Sequence, residues 1–232
     1  MMSMPKTDAP QQKDRSFETP VKVWDLPTRL FHWLLVVSVS TCVASAEIGG
    51  NLMTTHMFSG YLVLTLLIFR LVWGFVGGHH ARFAAFVRGP AAVLQYASGL
   101  IQKKSPRYLG HNPLGAWSVA AMLAALLVQA STGLFASDDI LTEGPLYPLV
   151  SNAASSVLTR IHRINAAIIL GLVAVHIAAI LFYLIVKREN LLKPMVTGVK
   201  RWRGEAPPCC GSAWAGALIA GLSGAVVYWL VS

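Results

Sequence analysis

Residues 160–186 read RIHRINAAIILGLVAVHIAAILFYLIV, almost purely apolar from Ile164 to Val186. A helix of about 20 such residues crosses the roughly 30 Å hydrocarbon core of a bilayer. Two histidines stand on this stretch, His162 and His176, fourteen residues apart. Fourteen residues is close to four helical turns, so both imidazoles point to about one face, ~21 Å apart along the axis. Polar rings at such depths need partners that offset their burial.

Four further runs are long enough to span a bilayer, at about 30–46, 52–77, 113–136 and 213–231. None of the five contains an acidic residue, and Arg70 is the only charge well inside one. The chain of 232 residues is 55% hydrophobic and 12% charged, with a mean hydropathy of +0.57. A soluble domain carries about 25% charged residues. Helices satisfy their own backbone hydrogen bonds in lipid, so the chain reads as an all-α, integral membrane helical bundle.

Residues 1–22 are polar, mixed in charge and Pro-containing, and are expected to form a disordered tail. No small-residue cleavage site follows the first apolar run, which is therefore a retained transmembrane helix rather than a secretory signal. Residues 191–212 read as a linker to a fifth transmembrane helix at 213–232. Lys and Arg are dense in the tail, in the loop at 78–112 and in 187–212, and sparse at 47–51 and 137–163. Alternation of this kind puts the N-terminus in the cytoplasm. The net charge of +9 follows from orientation and lipid headgroups, and no nucleic-acid partner is expected. Cys42, Cys209 and Cys210 form neither a CxxC pair nor a CxxCH haem-attachment site. Vicinal cysteines on a reducing side are expected to stay unpaired.

Depth sorts the histidines. His32 starts the first span on the cytoplasmic side, and His56 starts the second on the outer side. The fourth span enters from outside, so His162 is outer and His176 inner. Depth pairs His32 with His176 and His56 with His162, whichever way the chain is inserted. His79, His80 and His111 are expected in solvated loops. A structural zinc site wants four protein ligands, and two neutral imidazoles fall short. A haem iron needs only two axial ligands, and a CxxCH motif is lacking, so two non-covalent b-type haems are expected. With both axial positions taken by histidine, iron has no open site and electron transfer is the natural chemistry.

Arg70 lies fourteen residues after His56, at the inner depth, and a haem propionate is its expected partner. Gly60, one turn after His56, would let a flat porphyrin approach the backbone; Gly115 and Gly133 share a face of the third span. Arg160, Arg163 and Asn165, near the outer pair, are candidates for propionates, a quinone or other anions. Trp33, Trp73, Trp117, Trp202 and Trp229 fall near span ends, where an aromatic belt is expected.

The segment Val23-Trp24-Asp25-Leu26-Pro27-Thr28-Arg29-Leu30-Phe31-His32-Trp33 resembles the opening motif of bacterial cytochrome b561 and of the b-type cytochrome subunit of nickel-iron hydrogenases. His56 with Gly60, Arg70 before Trp73-Gly74, and the paired His162 and His176 resemble its later motifs. The resemblance covers about residues 20–190 and implies a four-helix di-haem domain over 23–190. It implies that His32 and His176 hold a cytoplasmic haem, and His56 and His162 an outer one. The helix at 214–231 departs from that four-helix core.

The resulting expectation is a respiratory di-haem cytochrome in a bacterial inner membrane. Its electrons would pass between quinone and a dehydrogenase, a hydrogenase or a c-type cytochrome. Whether it also acts as a quinone-linked oxidoreductase is left open. A haem-free anchor for a peripheral partner leaves the four histidines unexplained. A metal or ion transporter would need intramembrane carboxylates, which this chain lacks.

Overall fold

The structure is a computed structural model, described for residues 18–102, 104–138 and 142–232. In chain order it runs β1 (Thr19–Lys22), α1 (Leu26–Ile48), α2 (Met53–Val76), α3 (Phe83–Phe86), α4 (Pro90–Ile101), α5 (Pro113–Gly133), α6 (Asn152–Ile185), α7 (Leu192–Thr197), β2 (Val199–Trp202) and α8 (Ala213–Val231). The helices α1, α2, α5, α6 and α8 are each long and apolar enough to cross a membrane.

Local signals explain where the helices start. Asp25 caps α1 by accepting from the Thr28 N–H at 2.9 Å, with proline in the first turn. Asn112 caps α5 through the Gly115 N–H at 2.8 Å, again ahead of a proline. Ser151 caps α6, so this helix begins twelve residues before the apolar run at 164–186. His162 therefore lies well inside the helix. Gly49, at a φ of 69°, ends α1 in a conformation open to glycine.

The centre of the bundle is α2, where Leu67 and Trp73 are 0% and 1% exposed. Phe31 of α1, Leu123 and Leu126 of α5 and Ile169 of α6 complete its core. Trp73 is thus a core residue, not part of an aromatic belt. Its ring stacks on Phe69, with centroids 5.8 Å apart. The outer faces of all five long helices carry exposed Leu, Val, Ile and Phe, as lipid contact requires.

Packing among the helices is uneven. The neighbours of α2 are α1, α5 and α8, whereas α6 packs chiefly on α5. This leaves a gap between α6 and the α1–α2 pair. The added helix α8 is an integral part of the bundle: its Val227 is buried with Leu64 of α2 and Leu134, and Gly216 packs on Pro27.

Two segments differ from their sequence expectations. Thr19–Lys22, expected in the tail, forms strand β1 and pairs antiparallel with β2 of the expected linker, Thr19 opposite Trp202. Residues 1–17, the rest of that tail, lie outside the described residues. Cys209 and Cys210, expected to be unpaired, are joined by a disulfide. The Cys209 carbonyl accepts the His79 N–H at 2.9 Å. Asp25 gathers these pieces, because its second carboxylate oxygen accepts from the N–H groups of Gly78 (3.3 Å) and Gly211 (3.4 Å). The bundle so has a ribbon end, with β1, β2 and the 77–81 and 209–211 turns, and an opposite far end.

Candidate cofactor site

At the far end, His56 in the first turn of α2 faces His162 of α6. Their ring centroids are 6.1 Å apart and the planes are inclined by 78°. Two metal–imidazole bonds of about 2.0 Å, with roughly half a ring beyond each, put two such centroids about 6 Å apart on one metal. The observed separation fits a single iron between them.

The outer nitrogens of both rings are engaged. His56 Nδ1 lies 2.9 Å from the Cys42 carbonyl of α1. His162 Nδ1 lies 2.9 Å from the Gln129 carbonyl of α5, and 3.3 Å from Thr132 Oγ1. A carbonyl only accepts, so each Nδ1 carries the proton and donates it. Each Nε2 then keeps the lone pair that a metal ion needs, the usual arrangement behind a ligating histidine.

The space is also suitable. A cavity of about 420 Å³ lies between α1, α2, α5 and α6, with both histidines on its wall. Val39, Val63, Leu126 and Ile169 make that wall apolar, and the exposed Glu47 and Arg163 border it. This volume is in the usual range for a cofactor or ligand pocket. A Cβ at Gly60 would project into open space, so a flat ring can approach the backbone there. A Cβ at Gly133 would come within 3.0 Å of the His162 ring, so glycine gives that imidazole its room. Gly115 faces only its own cap residue, Asn112. Asn165, 7% exposed, donates to the Ala125 carbonyl (2.8 Å) and to Gln129 Oε1 (2.7 Å). It joins α6 to α5.

At the ribbon end, His32 of α1 and His176 of α6 lie within electrostatic reach of each other. His32 Nδ1 is buried and has no hydrogen-bond partner. Arg70 is 3% exposed. Its Nη2 donates to the Ala81 carbonyl at 3.0 Å, and its guanidinium lies 4.7 Å from the centre of the Phe83 ring. Nη1 is buried without a partner. The Asp25 carboxylate is within electrostatic reach of this buried cation, and the free Nη1 donor suits a further carboxylate bound by a charge-assisted hydrogen bond.

Among the described residues, no three His, Cys, Asp or Glu side chains converge on a metal position. Two histidines per site suit a metal whose remaining ligands come with it, as in a porphyrin.

Residues 23–198 match the family model of prokaryotic cytochrome b561. The chain belongs to that family. It is accordingly a multi-pass membrane b-type cytochrome that carries electrons, with haem b as its cofactor. It is similar to the probable Ni/Fe-hydrogenase B-type cytochrome subunit of Azotobacter vinelandii, with 27% identity across 85% of this chain and 95% of the relative. The corresponding proteins of Rhizobium leguminosarum bv. viciae (27% identical, 79% of this chain, 90% of the relative) and Cupriavidus necator (22%, 78% and 87%) are also similar. No solved structure matches the chain. The match to the cytochrome b561 model ends before α8.

Two histidines of this cytochrome lie deeper than their sequence context suggests. The His80 Nε2 and His111 Nδ1 atoms are buried without partners, although both residues were expected in solvated loops. His111 packs between Trp24 and Phe86, with centroid distances of 4.8 Å to each. The one local clue is that His111 immediately precedes the Asn112-Pro113 helix start, where the chain turns back into the bundle. Gln129 and Thr132, which hold His162, carry no sequence signal of that role.

Proposed function

We propose that the chain binds two b haems, one held by His56 and His162 and the other by His32 and His176, and passes electrons between them. The observation that carries this reading is the 6.1 Å spacing of His56 and His162, with both Nδ1 atoms held by backbone carbonyls. Haem b supplies one-electron chemistry when bound. The chain holds His56 and His162 in the tautomer that leaves Nε2 free for a metal. It lines the far-end cavity with apolar side chains and keeps a cation, Arg70, at the other end. The ~21 Å rise from His162 to His176 along α6 spans most of the hydrocarbon core.

The electron partner is a hydrogenase, an assignment supported by the names of the similar proteins. Quinone is the exchange partner on the membrane side, and the exposed Arg163 beside the cavity is a candidate contact. The ribbon end faces the cytoplasm of a bacterial inner membrane. The basic residues gathered there, including Arg107, Lys187 and Lys200, support that orientation.

The test is the haem content of the purified protein, read from its reduced-minus-oxidised spectrum and haem-to-chain ratio. A b-type spectrum with two haems per chain is expected. One haem per chain, or none in a folded protein, contradicts the proposal.

A further inference from the structure

Among the described residues, seven side-chain polar atoms at the ribbon end, on Thr28, Arg29, His32, Arg70, Trp73, His80 and His111, are buried without a hydrogen-bond partner, and three of them concern one cluster. Arg70 Nη1, His80 Nε2 and His111 Nδ1 are each buried and each lacks a hydrogen-bond partner. Leaving one such group unsatisfied costs on the order of 1–3 kcal/mol, and more for a charged one. Three together are not expected unless something else occupies the space between them.

The three belong to one cluster. Arg70 donates to the Ala81 carbonyl, next to His80 in the chain. A Cβ at Gly110 would lie 3.1 Å from His80 Nδ1, so the turn carrying His80 packs directly on the segment leading to His111. Trp24 touches both rings, at 6.3 Å from His80 and 4.8 Å from His111 between centroids. His111 is within electrostatic reach of Arg70, His80, His32 and His176 together. The cluster therefore borders the His32–His176 site, on the side of α2 that carries Arg70.

We propose that His80 and His111 join Arg70 in binding the two carboxylates of the haem held by His32 and His176. This rests on the two-haem reading above. The chemistry matches on each side: a haem presents two propionates, and the cluster offers one guanidinium and two imidazole N–H donors. Burial, with the neighbouring Arg70 charge, pushes the pKa of His111 down to about 3. The ring is thus neutral and gives a single N–H, which Nδ1 can present. His80 is lowered in the same direction by burial and by His79. Trp24 and Phe86 grip His111 on two sides and orient that donor. Backbone geometry adds to the rigidity, because a Cβ at Gly78, two residues before His80, would collide with the Cys209 carbonyl and Asp25. The Cys209 carbonyl and the Asp25 carboxylate of the α1 cap so hold the histidine turn in place.

The experiment uses the full-length protein with His56→Ala, so that only the ribbon-end haem is followed. His80→Gln, His111→Gln and both together are added to this parent. Each protein is loaded with haem b or with its dimethyl ester, in which both carboxylates are blocked, and haem transfer to excess apomyoglobin is timed. Each single variant should release haem b about tenfold faster than the parent, the effect of losing one charge-assisted hydrogen bond, and the pair faster still. The midpoint potential of the bound haem should fall, because less neutralised carboxylates favour ferric iron. With the ester, parent and variants should release at the same rate. Equal release of haem b from parent and variants overturns the proposal. Equal acceleration for haem b and the ester also overturns it, and assigns the two histidines to packing alone. A folded parent that carries no haem at all contradicts the two-haem reading and the proposal with it.

Discussion

The imidazoles of His56 and His162 face one another at 6.1 Å across the gap between α2 and α6, each anchored at Nδ1 by a helix carbonyl. Those carbonyls come from α1 and α5. Four helices thus contribute to one pair of rings, two by carrying them and two by aiming them. The bundle forms around a space rather than closing on itself, and α6 remains loosely joined to α1 and α2.

The glycine behind His162 is directly testable. A Cβ at position 133 would stand 3.0 Å from the His162 ring, and valine adds two methyl groups to that conflict. Gly133→Val should lower the haem-to-chain ratio from two towards one while circular dichroism shows the helices intact. Gly115→Ala, whose Cβ would meet only its own cap residue at 3.4 Å, should keep both haems.

Asp25 links α1 to the 77–81 turn and to the lead into α8. Asp25→Ala removes the acceptor for the N–H groups of Thr28, Gly78 and Gly211. The lost cap and the stranded donors should lower stability by about 2 kcal/mol or more. Asp25→Asn keeps an acceptor oxygen and should lose less. Thermal unfolding of the detergent-solubilised protein measures the difference.

His111 makes the haem-free protein sensitive to acid. Its pKa is about 3 in the fold against an ordinary 6.5. Below pH 6.5 the unfolded chain takes up a proton that the folded chain refuses. Stability should therefore fall as pH drops from 6.5 towards 3, by up to about 1.4 kcal/mol per pH unit from this group. His111→Gln lacks that linkage. The melting temperatures of the variant and the parent should converge, then cross in the variant's favour, as the pH is lowered through this range.

Much of this architecture can be read from hydropathy, because lipid imposes one simple pattern on every spanning helix. The starts of α5 and α8 coincide with the starts of apolar runs at Pro113 and Ala213. The start of α6 does not, since residues 152–163 mix Ser, Arg and His with apolar positions and only the Ser151 cap marks the boundary. The β1–β2 ribbon was illegible for a different reason. It joins two four-residue strands almost the whole chain apart, and neither alternates in a way that announces a partner. Spacing along α6 conveys the depths of His162 and His176, but it says nothing of the carbonyls that set a tautomer. A loop is ordinarily solvated, so sequence alone does not reveal that His80 and His111 carry buried ring nitrogens. Here two loops fold inward over the bundle, and Trp24, Phe86 and Arg70 enclose them.

The central claim is that His56 and His162 serve one haem and His32 and His176 another. The most direct measurement is the haem-to-chain ratio and spectrum of His56→Ala, His162→Ala and the double variant, each purified as a folded protein. All three should hold one haem per chain, with the same spectrum and the same midpoint potential. A double variant without haem, or single variants that retain two different haems, would contradict it.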